Sequence, residues 1–410
     1  MKFYTDEDDN RLSGLRISLA DEHDDVDETD GVGSNLFAVP LELCEKFRND
    51  GYVVCENVLS MESVKALNHR LELILRGTYD RGIPPDKIPR KLRSEIPTST
   101  TANDSGSDIP DSSNCNKNMP STDVNHETSS TKTKSKGADI DCNEALNRNT
   151  TRENDCKTKC KKNTKQLKKK TGNNKIGPLG FSGNLQNVKT LQVINVHKSD
   201  RLYRKLATNK HLGQIVSQLG GWDKKYGGAR LAQDQIWAKP PNSPPLVFHR
   251  DTPYFMFEPL EVITVWIAFD TMDDELGPLQ YIRKSHLWGD GRVGTSNQFF
   301  DNNNFMSLVQ DAARREGLDP EELDVITMAG LQAGSLSIHH GKLWHGSDKN
   351  QSCNRPRRGL GLHFVPANVK FTSEAKHSRL WSKYVQDGDG QLVMDLSKVE
   401  LSDDDFPIVS

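Results

Sequence analysis

The chain has 410 residues, enough for one large domain or two, and its 54 basic and 57 acidic side chains nearly cancel to a net charge of -3. Only 34% of the residues are hydrophobic. No apolar run reaches the length of a membrane span, so we expect no membrane association. The sequence contains neither a Gly-rich phosphate loop nor an H-E-x-x-H motif, which excludes the common NTPase and zinc-protease classes.

Two polar segments account for the low hydrophobic content. Residues 1–34 carry 11 acidic and three basic side chains, which predicts a disordered acidic tail. Residues 94–177 are rich in Ser, Thr, Asn, Asp and Lys, and the chain has no Phe, Trp or Tyr between positions 80 and 180. Such a segment cannot bury enough apolar surface to offset its ordering entropy, so we predict a disordered insertion within the domain.

The insertion ends in a lysine block, with eight lysines and no acid from Lys157 to Lys170. A block of this kind could bind nucleic acid or act as a nuclear import signal. A solvated charged segment is the preferred interpretation, because charge blocks are commonly disordered. No aromatic side chain lies between the lysines to stack on bases, so we expect no nucleic-acid partner.

Outside these segments the apolar pattern predicts a mainly β domain with flanking helices. Val64, Leu67, Leu71 and Leu75 recur at helical spacing after Ser60, a candidate N-cap. After residue 231 the pattern changes to short strands separated by Gly and Pro turns, which favours a double-stranded β-helix (jelly-roll, cupin-like) core over a doubly wound sheet. The predicted helices are 40–49, 60–77, 199–206 and 209–219, and the predicted strands are 231–238, 246–250, 261–269, 279–282, 335–339 and 358–365.

We therefore divide the folded part into an N-terminal helical and strand part at 35–93, a catalytic core at 178–375 and a C-terminal extension at 376–410. The seven cysteines are odd in number and four lie in the insertion, which indicates a reducing compartment. The first residues are too acidic for a targeting peptide, and the last residues lack an S-K-L signal. We expect a cytoplasmic protein, with the peroxisome and the nucleus as alternatives.

His249, Asp251 and His345 have the residue types of a metal site. His249 and Asp251 end an apolar strand-like run and lie two residues apart, so strand alternation directs both side chains to one side. Two imidazoles and one carboxylate can bind one face of a metal ion and leave the opposite positions open, which suits non-haem Fe(II). An isolated H-x-D motif also arises by chance as a surface His beside an acid, so its context is decisive.

An arginine 12 residues after His345 supports the interpretation of this motif as a metal site. Arg357 stands at the start of a Gly/Leu-rich strand, where a guanidinium could bind a carboxylate at two points. A metal-chelating 2-oxo acid with a remote carboxylate needs such a partner. Arg355 and Arg358 are rivals for this role, although alternation turns Arg358 to the other face.

Several segments in consistent order resemble the phytanoyl-CoA dioxygenase family of Fe(II)/2-oxoglutarate oxygenases, over about 36–93 and 178–372. Ser335 stands where the family usually has Asp. Besides the H-x-D motif and the HGS motif at 345–347, the matching segments are FRNDGYVVCENV at 47–58, DQIWAKPP at 234–241, GPLQYIRKSH at 277–286 and AGSLSIHH at 333–340.

The resemblance implies that His249, Asp251 and His345 are the iron ligands. It implies that Arg357 binds the remote carboxylate of 2-oxoglutarate, with a hydrogen bond added by Ser347. Gln235 and Trp266 match positions that line the co-substrate pocket in the family. Without the resemblance, Trp266 would be predicted as a core residue. The cofactors implied are Fe(II), 2-oxoglutarate and O2, with ascorbate as an additional candidate.

The implied reaction is hydroxylation of a C–H bond in a small-molecule or acyl-CoA substrate, with release of succinate and CO2. The carboxylate at position 251 favours hydroxylation, because related halogenases leave this position open for a halide. His339 and His340 are expected to be core histidines or to support the ligands, with one of them pointing inward, and His286 and His363 are expected to be structural. Two alternatives are a non-catalytic ligand-binding jelly-roll scaffold and an interaction protein that acts through the lysine block.

Overall fold

The computed structural model describes residues 2–3, 10–19, 38–89, 190–289 and 305–410. Most of the predicted acidic tail and the whole of the predicted insertion, with its lysine block, lie outside the described residues. In the described part, no helix combines the length and apolar character needed to cross a membrane.

The described strands form two open sheets and a two-stranded ribbon. The seven-stranded sheet has the order β2-β3-β11-β8-β13-β5-β4, the five-stranded sheet has the order β1-β10-β9-β12-β6, and β7 pairs with β14. The strands are β1 (Lys2–Phe3), β2 (Arg11–Leu12), β3 (Tyr52–Cys55), β4 (Leu191–Ile194), β5 (Ala229–Lys239), β6 (Leu246–His249), β7 (Phe257–Glu258), β8 (Ile263–Ala268), β9 (Leu279–Ile282), β10 (Val325–Thr327), β11 (Leu336–His340), β12 (His345–Ser347), β13 (Arg357–Pro366) and β14 (Lys370–Phe371).

The order of these strands is non-sequential, as expected for a roll in which neighbouring strands come from distant parts of the chain. In the larger sheet the central strand β8 is buried along its whole length, which agrees with its nearly continuous apolar sequence. The six predicted strands are all present, with ends that differ by up to two residues.

Helices pack on the outer face of the larger sheet. The Ser60 hydroxyl accepts a hydrogen bond from the Ser63 backbone N–H at 3.1 Å, and Asp200 and Asn209 cap two further helices in the same way. Apolar side chains of these helices share one core with the outward side chains of the sheet. The helices on this face are α1 (Leu41–Asp50), α2 (Met61–Leu75), α3 (Arg201–Ala207), α4 (Lys210–Gly220) and α5 (Trp222–Tyr226). A further helix, α6 (Ser307–Arg315), packs against β6 of the smaller sheet instead.

The space between the two sheets is filled at one end and open at the other. At the filled end Tyr52 and Trp266 of the larger sheet pack with Tyr281 and Ile326 of the smaller sheet. The rings of Tyr52 and Tyr281 are stacked with centroids 5.5 Å apart. This small core fixes the spacing of the sheets, and the open end between them contains the candidate site.

Residues 10–19 differ from the expected disordered tail. β2 pairs in parallel with β3, and the side chains of Leu12, Leu15, Ile17 and Leu19 are buried against the helical face. The physical reason is that these four apolar residues recur within an otherwise acidic segment, and the average composition of residues 1–34 conceals them.

The C-terminal residues pack on the core of the larger sheet and form a second cluster beside it. The backbone N–H of Val409 donates to the Ala229 carbonyl, and that of Leu231 donates to the Pro407 carbonyl, both at 2.9 Å. Trp381 and Phe406 are buried in an aromatic cluster beside β7 and β14. The chain after residue 375 therefore contributes to the wall of the open end.

Candidate active site

A row of polar side chains crosses the inner face of the larger sheet. The register places His339 of β11 beside Thr264 of β8, Thr264 beside His363 of β13, and His363 beside Gln233 of β5. Because alternate residues of a strand share a face, Gln235 and Lys239 of β5 and Arg357 of β13 lie on this inner face too. These residues line a cavity of about 1030 Å³ between the sheets.

The predicted metal ligands meet above this row. His345 of β12 is the direct cross-strand partner of His249 in β6, and Asp251 follows in the turn after β6, where its backbone N–H donates to the Gly341 carbonyl at 2.8 Å. The candidate ligand atoms of His249, Asp251 and His345 all lie within 4.8 Å of one another, and all three residues are buried.

Both imidazoles present Nε2 to the metal position. Nδ1 of His249 lies 2.8 Å from the Val247 carbonyl, and Nδ1 of His345 lies 2.9 Å from the Leu343 carbonyl. A carbonyl only accepts, so each Nδ1 carries the proton and each Nε2 keeps its lone pair. Burial lowers the pKa of His249 to about 3, and the nearby His345 adds to this effect. His249 is therefore a neutral imidazole, as metal binding requires.

Asp251 is the candidate anionic ligand. Its Oδ1 lies 3.6 Å from Nε2 of His345 and 3.9 Å from Nε2 of His249. Burial disfavours its charge, but the imidazole of His345 and the hydrogen bond from His339 outweigh burial, and the pKa of Asp251 stays well below its usual range. In an octahedral site with bonds of about 2.1 Å, neighbouring ligand atoms lie roughly 3 Å apart, so small shifts would close these distances on an ion. The donor set and geometry fit Fe(II).

Two buried cations lie in the same cavity. Arg357 and Lys239 are cross-strand neighbours, and both donate to the Ser347 hydroxyl, Arg357 at 2.9 Å and Lys239 at 2.7 Å. Among the described residues no carboxylate pairs with either cation, and Nε of Arg357 is buried without a hydrogen-bond partner. Buried charges without counter-ions are costly, so this site fits an anion, such as the remote carboxylate of 2-oxoglutarate.

The pKa shifts of Arg357 and Lys239 agree with two cations that have no carboxylate partner among the described residues. Burial lowers the pKa of Arg357 to about 10, against a small opposing effect of Asp270. Burial together with the charge of Arg357 holds the pKa of Lys239 well below its usual range. Both shifts mean that the surroundings of Arg357 and Lys239 disfavour the charged forms of these two side chains.

The two rival arginines are already paired. Arg355 is exposed and contacts Asp273 at 2.6 Å and Glu275 at 2.5 Å. Arg358 lies on the opposite face of β13 from Arg357, where its guanidinium binds both carboxylate oxygens of Asp270. Arg357 is thus the arginine of this group that faces the cavity.

Gln235 and Trp266 also line the cavity. Gln235 accepts a hydrogen bond from Gln192 at 3.0 Å and donates to Gln233. Trp266 belongs to the small core between the sheets and lies beside the Arg357 guanidinium, with 5.7 Å from the guanidinium carbon to the ring centroid. It is therefore both core and pocket wall.

The other histidines divide between the two sides of the sheet. His339 points inward to Asp251, while His340 packs on the opposite side near His286, whose Nε2 donates to the Arg48 carbonyl. His363 was expected to be structural, but its Nε2 lies in the cavity wall 3.9 Å from Oδ2 of Asp251. Its place follows from the pairing of β13 with β8.

Lys239 is the site residue that sequence reasoning did not select. It lies in the DQIWAKPP segment, and its alternation with Gln235 was the available signal. A lysine at a strand end is usually exposed, so only its pairing with Arg357 identifies it.

Comparisons with known proteins agree with this geometry. The family model described as Phytanoyl-CoA dioxygenase (PhyH) matches residues 47–359. The chain is 27% identical over 140 residues to a probable alpha-ketoglutarate-dependent hypophosphite dioxygenase of Stutzerimonas stutzeri; this alignment covers 34% of the chain and 46% of that protein, so the chain spans about half the length of this curated relative.

Solved structures resemble the fold. The non-heme alpha ketoglutarate dependent epimerase SnoN from nogalamycin biosynthesis superposes with a TM-score of 0.50 at 15% identity, over 90% of this chain and 98% of SnoN. SnoN in complex with Fe3+, alpha ketoglutarate and nogalamycin RO gives a TM-score of 0.51 at the same identity and coverage. At this identity the likeness shows the jelly-roll fold. Since the family model covers most of the chain, the chain belongs to the phytanoyl-CoA dioxygenase family.

Proposed function

We propose that the protein is an Fe(II)- and 2-oxoglutarate-dependent dioxygenase that hydroxylates a C–H bond of a small-molecule or acyl-CoA substrate, with release of succinate and CO2. The observation that carries the proposal is that one cavity contains both the His249, Asp251 and His345 triad and the unneutralised pair of Lys239 and Arg357. A metal site alone fits many activities, but a metal site with a buried anion site beside it fits a chelating dicarboxylate.

Each residue has a defined task in this proposal. His249, His345 and Oδ1 of Asp251 hold the metal on one face. Arg357 and Lys239 bind and orient the remote carboxylate, with the Ser347 hydroxyl between them. Iron and 2-oxoglutarate supply the oxidising chemistry when they are bound, with O2 as the further co-substrate. The carboxylate at position 251 occupies the position that a halide would need, which supports hydroxylation.

The outer part of the cavity supports a small substrate with an anionic group. Its volume of about 1030 Å³ is at the upper end for ligand sites and leaves room beside a bound co-substrate. Phe255 and Leu380 give it an apolar wall that excludes water. Lys87 donates to Gln192 at 2.7 Å, and Arg379 also lines the cavity. Neither cation pairs with a carboxylate among the described residues.

Turnover without substrate tests the proposal. Protein loaded with Fe(II) and 2-oxoglutarate under anaerobic conditions is exposed to O2, and the formation of succinate is measured. Asp251→Ala removes a metal ligand and is expected to abolish succinate formation, whereas Arg355→Ala changes a surface ion pair and serves as the matched control. If the wild-type protein binds the metal but forms no succinate, the proposal is wrong and the alternative of a non-catalytic ligand-binding scaffold is favoured.

The substrate is sought with metabolite extracts. Mass spectrometry identifies a compound that is consumed together with 2-oxoglutarate and gains one oxygen atom. We expect this compound to carry a carboxylate or phosphate, and Arg379→Met to raise its KM more than it changes kcat. A neutral substrate that is insensitive to Arg379→Met would contradict the anionic assignment.

A further inference from the structure

The two carboxylate oxygens of Asp251 have different surroundings. Oδ1 faces the Nε2 atoms of both ligand histidines, at 3.6 and 3.9 Å. Oδ2 points away from them and accepts a hydrogen bond from the Thr264 hydroxyl at 2.6 Å. Nε2 of His339 lies 3.2 Å from the same Oδ2. Thus one oxygen faces the metal position while the other has two protein partners.

The hydrogen-bond partners of His339 favour a proton on its Nε2 atom. Nδ1 of His339 lies 3.1 Å from the Tyr281 hydroxyl, which lies 2.7 Å from the Ser337 hydroxyl. If Tyr281 donates to Nδ1 and accepts from Ser337, His339 is left with Nε2–H as its donor, and that donor faces Asp251. The reverse arrangement would place an imidazole lone pair against a carboxylate oxygen, so the first is favoured.

Packing fixes the His339 ring in this orientation. It lies between the rings of Tyr281 and His345, with centroids 5.2 and 4.5 Å away, and β11 places it directly beside Thr264. His339 is 1% exposed, so it has no freedom to turn towards solvent.

We propose that His339 is a positioning residue that, together with Thr264, holds Oδ2 so that Asp251 binds the metal through Oδ1 alone; this inference rests on the proposed function. Carboxylates bind metals through one oxygen or two. Three protein donor atoms leave three positions of an octahedral ion, two for the 2-oxo acid and one for O2. A second oxygen from Asp251 would occupy the last of these positions.

The geometry also distinguishes this role from metal ligation by His339. The three atoms that approach one another as a metal site belong to His249, Asp251 and His345. Nε2 of His339 is directed instead at Oδ2, on the side of the carboxylate away from Oδ1. Outer partners of this kind orient a ligand, and their loss typically weakens metal binding 10- to 100-fold.

The test uses His339→Leu, which removes the donor while keeping an apolar side chain, and His339→Gln, whose amide N–H can replace it. Thr264→Val removes the other donor at nearly constant volume, which keeps the test valid if His339→Leu fails to fold. His340→Leu, on the opposite side of β11, is the matched control. Fe(II) affinity is measured anaerobically without co-substrate, and nitric oxide is then added to the Fe(II) and 2-oxoglutarate complex as a probe of the position left for O2.

We expect Fe(II) affinity to fall roughly 10- to 100-fold in His339→Leu and Thr264→Val, with loss of the electron paramagnetic resonance signal of the nitric oxide adduct. His339→Gln and His340→Leu should retain both properties. Wild-type affinity and an intact signal in His339→Leu would overturn the proposal, as would a protein in which His339 is required for metal binding and Asp251 is not. If the wild-type protein binds Fe(II) but not 2-oxoglutarate, the proposed function fails, while the comparison of metal affinities still decides the role of His339.

Discussion

Replacement of Arg357 should weaken 2-oxoglutarate binding and leave metal binding unchanged. Burial lowers the pKa of this guanidinium from 12.5 to about 10, and at about 1.4 kcal/mol per pH unit this corresponds to roughly 3 kcal/mol by which burial disfavours the charge. A carboxylate bound at two points would offset most of that cost. We therefore expect Arg357→Ala to raise the Kd of 2-oxoglutarate by roughly 100-fold, or about 2.7 kcal/mol, with Lys239 retaining part of the attraction.

Arg357→Lys should have an intermediate effect of roughly tenfold, because an ammonium offers one point of contact in place of a planar fork. The assay is titration of 2-oxoglutarate into each anaerobic Fe(II) complex, followed through the metal-to-ligand charge-transfer band. Arg355→Ala is the control, since its guanidinium is exposed and paired with surface acids. Weakening by Arg355→Ala with no effect of Arg357→Ala would refute the assignment.

Three further predictions concern the metal site, the lysine and the insertion. His345→Ala should abolish Fe(II) binding in an anaerobic titration while His340→Ala retains it, and the reverse result would show that the distal ligand is misassigned. Because burial and the neighbouring arginine lower the pKa of Lys239, 2-oxoglutarate affinity should decline as pH rises through that lowered pKa; the Kd of Lys239→Met should lack this dependence, and an identical pH profile in both proteins would contradict it. Replacement of residues 99–175 by a short Gly/Ser linker should leave Tm and turnover nearly unchanged. The described chain is already joined across that region, because the backbone N–H of Ile194 donates to the Lys87 carbonyl at 3.0 Å. A large fall in Tm would mean that the region packs on the core.

The local sequence was sufficient to predict those residues of the candidate site that lie close together in the chain. His249 and Asp251 are two residues apart at a strand end, and alternation alone directs them to one side. The spacing of Arg357 from its neighbours on β13 likewise distinguished it from Arg358, because adjacent residues of a strand face opposite ways. Apolar periodicity and N-cap residues such as Ser60 predicted helices and strands whose ends differ little from those observed.

Only the tertiary structure decided which strands are neighbours. The pairing of His345 with His249, of Lys239 with Arg357, and of His339 with Thr264 depends on register between segments far apart in the chain. No local pattern encodes such a register, because it results from the burial of both sheets against their shared core. The sequence therefore predicted His249, Asp251 and His345 as one metal site and Arg357 as the residue for the remote carboxylate, while the place of Lys239 beside Arg357 and the partners of the Asp251 carboxylate became visible only in the folded structure.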